Sequence, residues 1–250
     1  MSMQHINLRT SHVFPDMTAV PERLHVSFDI EVYDDCEADT DWTVSDSIKR
    51  HGIWEPVETA VMASAFAGNP GAYFFDFGAH VGWYSVLARC WNLEVVALEA
   101  APGHIEMLQR RGDPDLVPLA AWIDEEYRCE MTAAIAPLIV KMDIEGNEEH
   151  AVRGLRQAFE NRWITQALIE MSPVFNNSYP MIARTLVRCG YECWVLPEKQ
   201  TPPPVMDDTR RWLVEDCMCL HAMPDKARTE WIEDQHQFNA VFCLPEAKWG

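Results

Sequence analysis

The stretch YFFDFGAHVGWYSVLARCWNLEVVALEAA, residues 73–101, decides the fold. Tyr73 to Phe77 is an aromatic strand broken by Asp76, and Gly78 and Gly82 frame a tight turn where no Cβ blocks the approach of a ligand. Val81 to Trp91 has the length and apolar content of a packed helix. Val95 to Leu98 then runs apolar into Glu99, at about the twenty-residue separation at which an acid meets ribose hydroxyls in nucleotide-binding βαβ units. Strand, glycine turn, helix, strand and terminal acid predict a nucleoside-cofactor site, with Glu99 on the ribose.

The turn also discriminates between cofactors. A dinucleotide fingerprint requires G-x-G-x-x-G so that a pyrophosphate can sit on the helix N-terminus. Here the turn is G-A-H-V-G, with His80 inside it and Asp76 two residues before it. A carboxylate at that place repels a pyrophosphate and suits an ammonium or sulfonium, and S-adenosylmethionine (SAM) carries both. The spacing accordingly disfavours a nicotinamide-dependent oxidoreductase. Asp76 has a plainer alternative role, as a cap of the Gly78–Val81 turn.

Working outward, 250 residues accommodate one α/β domain with a substantial core and an extension or two. The formal net charge of -19 supplies no basic stripe, so neither nucleic acid nor an anionic membrane surface is expected as a partner. No apolar run approaches membrane-spanning length, and the first thirty residues lack a basic start followed by an apolar core, which predicts a cytoplasmic protein. The eight cysteines lie mostly in apolar runs, where reduced, buried thiols are the expectation. Cys189 with Cys193 and Cys217 with Cys219 lack the knuckle turns of a zinc site, and no metal is assigned.

Residues 1–45 are polar and acid-rich without a sustained period and read as an N-terminal extension. A domain over 46–223 follows, with a mixed tail over 224–250. Within the domain, Pro56 opens a helix to about residue 67, and a further helix spans 101–111. A strand over 116–123 runs into Asp124, and another over 137–144 ends KMDIEG. A helix over 148–161, a strand over 167–171 and a helix over 181–189 come next, then closing strands over 191–196 and 215–221. This alternation predicts a doubly wound, mainly parallel seven-stranded sheet with helices on both faces and an antiparallel last strand.

The ordered set GIWEP (52–56), FDFGAHVGWYS (75–85), VVALEAAP (95–102), KMDIEGNE (141–148), ALIEMSP (167–173) and CGYECWV (189–195) resembles the FkbM family of SAM-dependent methyltransferases. The resemblance covers about 45–220 and departs at His80, where the family loop usually carries Asn. It implies the class I methyltransferase fold and, most often, O-methylation of a hydroxyl on a small molecule or saccharide. On that pattern Glu55, Asp76, Gly78, His80, Gly82, Glu99 and Asp124 are the candidate cofactor contacts, Asp124 toward the adenine amino group.

Strand alternation places Lys141, Asp143 and Glu145 on one face at the carboxyl edge, where either acid is a candidate proton acceptor. The plainer alternative makes Asp143 and Glu145 caps of the following helix. Ser172-Pro173-Val174-Phe175 resembles the loop with which amino-methyltransferases hold a nitrogen, and gives a second hypothesis of nucleic-acid or amino-group methylation. A third is a SAM-binding assembly protein without chemistry.

Overall fold

The computed structural model describes residues 1–8, 26–33, 42–111, 116–120, 137–173, 178–197 and 209–249. In chain order these hold β1 (Ser2–Asn7), β2 (Ser27–Val32), α1 (Trp42–His51), α2 (Pro56–Gly68), β3 (Tyr73–Phe77), α3 (Trp83–Arg89), β4 (Glu94–Glu99), α4 (Pro102–Arg111) and β5 (Leu116–Ala120). Then come β6 (Leu138–Met142), α5 (Glu148–Gly154), α6 (Arg156–Glu160), β7 (Ile164–Met171), α7 (Tyr179–Arg188), β8 (Glu192–Val195), α8 (Thr209–Asp216), β9 (Met218–Cys219), α9 (Asp225–Glu233) and β10 (Phe238–Cys243).

The main sheet has the order β5-β4-β3-β6-β7-β10-β8-β9, seven strands plus the two-residue β9. β5, β4, β3, β6 and β7 pair in parallel, while β10 runs antiparallel to both β7 and β8. Successive side chains on a strand point to opposite faces, and both faces are covered. Phe74, Val95, Ile139, Leu168 and Val241 pack with residues of α1 to α4 and α8. Phe77, Val140, Ile169 and Phe242 pack with residues of α5, α6, α7 and α9. The expected doubly wound sheet with an antiparallel last strand is therefore present.

Two expectations need correction. The segment over 215–221 is not a core strand: it holds the end of α8 and the edge strand β9, where Met218 is exposed. The antiparallel strand is instead β10, from the segment read as a tail, and Ala240, Val241, Phe242 and Cys243 are fully buried because neighbours flank it on both sides. Among the described residues of the N-terminal extension, β1 and β2 form a two-stranded antiparallel sheet. Phe28, Ile30 and Val32 alternate toward the core, with Phe28 edge-on to Trp83 at 5.4 Å between centroids. That period lasts only the six residues of β2 and is diluted by acids outside it. The helix expected over 148–161 divides at Leu155, just after the poor helix former Gly154.

Gly78 fixes how closely β3 and β6 approach at their ends. It has φ of 76°, and a Cβ there would lie 1.8 Å from the Asp143 carbonyl oxygen. Gly71 shares the left-handed backbone, φ 77°, but faces open space. Gly71→Ala should thus cost about 1 to 2 kcal/mol, the left-handed penalty alone, in urea unfolding. Gly78→Ala should add a steric penalty and lose more than about 3 kcal/mol.

Candidate functional site

β4 and β5 lie to one side of β3, and β6 and β7 to the other, so the chain reverses its winding between β3 and β6. Ligands of open α/β sheets bind beyond the carboxyl ends of the strands at such a point. A cavity of about 810 Å³ occupies that place, lined from the β3–α3 turn, the end of β4, the turn after β6, and Glu170 near the end of β7. Thr43, Val44, Trp54 and Gln237 close it from outside the sheet's carboxyl edge.

Glu99 ends β4 beside the glycine turn. Its Oε2 accepts the His80 N–H at 2.7 Å, and Oε1 accepts the N–H groups of Ala100 and Ala101, each at 2.8 Å. Burial alone raises this carboxyl, but the His104 ring, with Nδ1 at 3.8 Å, and the Ala101 and His80 N–H groups bring it down to about 2. Glu99 is therefore ionised and fixed in direction. A carboxylate offers about four lone-pair sites, which leaves capacity on Oε2 for a hydroxyl. His80 holds a left-handed φ of 51°, and its ring lies 3.9 Å from that of His104 between centroids. Gly82, at φ 80°, starts α3.

Asp76 does not line the cavity. It is fully buried, and its Oδ2 accepts from Ser85 Oγ on α3 at 2.6 Å. Burial raises its carboxyl, opposed by Lys141 and the Ser85 bond. The charge expected to meet a ligand thus faces the protein's own cation and ties α3 to β3.

Lys141 is buried, and Nζ donates to the Gly78 carbonyl at 2.9 Å and to Asp143 Oδ2 at 3.2 Å. Burial favours the neutral amine, but Asp143, Asp76 and Glu55 outweigh it and raise the pKa above that of an ordinary lysine. It is an ammonium rather than a base. Asp143, whose carboxyl burial would raise, is lowered by Lys141 and by a hydrogen bond from Glu170.

β6 stops at Met142, so Asp143 and Glu145 sit on a turn and not on a continuing strand face. Glu145 has a left-handed φ of 53°, Gly146 follows at 94°, and both acids still line the cavity. The N-cap of α5 is Asn147, without a side-chain capping bond, and Glu148 instead staples the turn: its Oε1 accepts the N–H groups of Ile144 and Gly146 at 3.0 and 3.4 Å. Its Oε2 accepts from Tyr179 at 2.5 Å.

Glu170 escapes the sequence analysis although ALIEMSP contains it. Burial and Asp143 push its carboxyl up to about 9, so it keeps its proton and donates it toward Asp143, while Gln237 donates to Glu170 Oε1. A lone acid near the end of an apolar run is its available signal; Gln237 has none. The carboxylate oxygens of Asp143, Glu145 and Glu170 lie within 4.8 Å of one another, the one group among the described residues that could hold a divalent ion. Lys141 already places a positive charge beside Asp143 there.

Glu55 precedes α2 and lines the cavity, with Oε2 accepting from Tyr84 at 2.8 Å. Asp124 lies outside the described residues, as do Val174 and Phe175. Ser172 is buried and does not line the cavity. The six described cysteines are free thiols.

No family model matches the sequence, and comparison with curated proteins finds no match. Among solved structures the chain is similar to an rRNA methylase from Streptococcus thermophilus, at 9% identity and TM-score 0.47, over 77% of this chain and 98% of that one. It is similar to a TehB-like SAM-dependent methyltransferase from Corynebacterium glutamicum, at 12% and 0.45, over 80% and 92%. A geranyl diphosphate C-methyltransferase from Streptomyces coelicolor, crystallised with Mg²⁺, geranyl diphosphate and S-adenosyl-L-homocysteine, shares 12% at 0.43, over 85% and 89%. No function is transferred at such distances.

Two outcomes follow from the buried charges. A folded-state pKa raised from 4.5 to about 9 stabilises the protein below the unfolded value and ceases to do so as pH rises through the folded one. Unfolding free energy should therefore fall between pH 5 and 9, and Glu170→Gln should flatten that decline in urea titrations. Lys141→Met should lose about 3 to 5 kcal/mol at pH 7 because it leaves the buried Asp76 and the partly buried Asp143 without their cation.

Proposed function

We propose that the protein is a SAM-dependent methyltransferase of FkbM type that methylates a hydroxyl of a small molecule or saccharide. One observation carries this reading: a single cavity at the switch point joins a glycine turn with a pre-oriented acid, Glu99, to a cluster of carboxylates around Lys141. The cavity's size suits a drug-sized ligand. Its acidic wall of Asp143 and Glu145 suits a ligand with sulfonium and ammonium charges.

SAM, when bound, supplies a methyl group already activated on sulfur. The chain's own work is then to bind, align and remove a proton. Glu99 would hold the ribose hydroxyls, and the turn from Gly78 through His80 to Gly82 would line the rest of the cofactor's site. Asp76 keeps that turn in place through Ser85. Asp143 and Glu145 face the acceptor. Lys141 lowers the basicity of Asp143, so Asp143 is better suited to holding the acceptor hydroxyl than to taking its proton. Gln237 lines the cavity and β10 pairs within the sheet, which supports a methyltransferase domain that continues beyond 223.

S-adenosylhomocysteine (SAH) should bind in calorimetry and raise the melting temperature, since a ligand of the native state stabilises it. Glu99→Ala should lose roughly 1 to 3 kcal/mol of that affinity. Methyl-labelled SAM mixed with metabolite extracts should mark a small hydroxyl-bearing product. Absence of SAH binding sinks the proposal, and label appearing only on added RNA or amines moves it to the Ser172–Phe175 alternative.

A further inference from the structure

We propose that Glu55 takes the acceptor's proton during methyl transfer, an inference that rests on the methyltransferase reading above. Glu55 looks at first like an ordinary acid at a helix N-terminus. Its side chain makes no capping bond to α2. The carboxylate instead lines the cavity, held by the Tyr84 hydroxyl at 2.8 Å. Its backbone sits in the left-handed region, φ 41° and ψ 75°, directly before Pro56. That conformation is costly for a non-glycine residue and persists where surrounding structure imposes it.

The other acids of the cavity are committed elsewhere. Glu99 accepts three backbone N–H groups, Asp143 carries the Lys141 ammonium, and Glu170 already holds a proton toward Asp143. Glu145 is exposed on the turn after β6. The groups facing Glu55 are Glu58 on α2, Tyr84 on α3, Lys141 on β6 and Asp143 on the following turn. Burial, with Glu58 and Asp143, pushes the Glu55 carboxyl up to about 7 against Lys141 and Tyr84. A base is most effective when its pKa lies near the working pH.

In the step itself, the acceptor oxygen bonds to the methyl carbon and the carbon–sulfur electron pair stays on sulfur. The hydroxyl proton passes to Glu55, which later returns it to solvent. Tyr84 fixes the carboxylate through its hydroxyl hydrogen bond.

The test combines Glu55→Gln and Glu55→Asp with SAH calorimetry, carbon-detected NMR titration of the unliganded protein, and label transfer from SAM to the extract that the wild type methylates. Glu55→Gln should bind SAH like the wild type and lose about 10²- to 10⁴-fold in transfer rate. A glutamate signal titrating near 7 in the wild type should vanish from its spectrum. Glu55→Asp should keep a carboxylate and part of the activity, with the acidic limb of the pH profile retained; it serves as the probe should the Gln variant not fold. Three results each overturn the proposal: SAH affinity lost in Glu55→Gln, which makes Glu55 a cofactor contact; a Glu55 midpoint at the ordinary 4.5; or wild-type transfer by Glu55→Gln. If the wild type itself binds no SAH, the methyltransferase reading falls and takes this one with it.

Discussion

The Lys141 ammonium holds the site together, and the surrounding geometry follows from burying it. Removing a cation from water costs several kcal/mol unless partners replace its hydration. Here the partners are the Gly78 carbonyl at 2.9 Å and Asp143 at 3.2 Å, with Asp76 and Glu55 adding to the field. One donor thus ties the end of β3 to the turn after β6. The two backbones come close enough for this only because Gly78 has no Cβ to meet the Asp143 carbonyl. The glycine provides the approach and the lysine makes it favourable.

Around that cation, chemically similar carboxyls diverge. Glu99 falls to about 2 among donors, Asp143 is lowered beside the ammonium, and Glu55 and Glu170 rise to about 7 and about 9 in drier, more acidic surroundings. Groups of one chemistry whose environments push them apart are able to divide binding, charge stabilisation and proton transfer among themselves. The acid-rich cavity is therefore a set of distinct positions and not a uniform negative surface. Its balance depends on one lysine.

The outer parts of the chain complete this arrangement. β10 is inserted between β7 and β8, and Gln237 just before it reaches Glu170. Thr43, Val44 and Trp54 reach the cavity from the other side. Segments that carry weak local patterns consequently enclose the site that the strong patterns begin. Enclosure matters physically, since excluding water strengthens each charge interaction inside.

Local periodicity and turn chemistry alone determined β3, α2, the glycine turn and the acid ending β4, because each depends on residues a few positions apart. They also placed Lys141, Asp143 and Glu145 at the sheet's carboxyl edge, although the strand ends at Met142 and a left-handed turn, not alternation, brings Glu145 to the cavity. Only the tertiary structure decided that Asp76 faces inward to Ser85, that Glu148 accepts the N–H groups of the turn after β6, and that Glu170 and Gln237 line the cavity. It alone put Phe238–Cys243, not residues 215–221, in the sheet interior. These features depend on contacts across tens of residues, where burial and pairing partners select among segments of similar local propensity. A carboxyl's charge and direction are likewise properties of its surroundings, and the chain creates those surroundings only by folding.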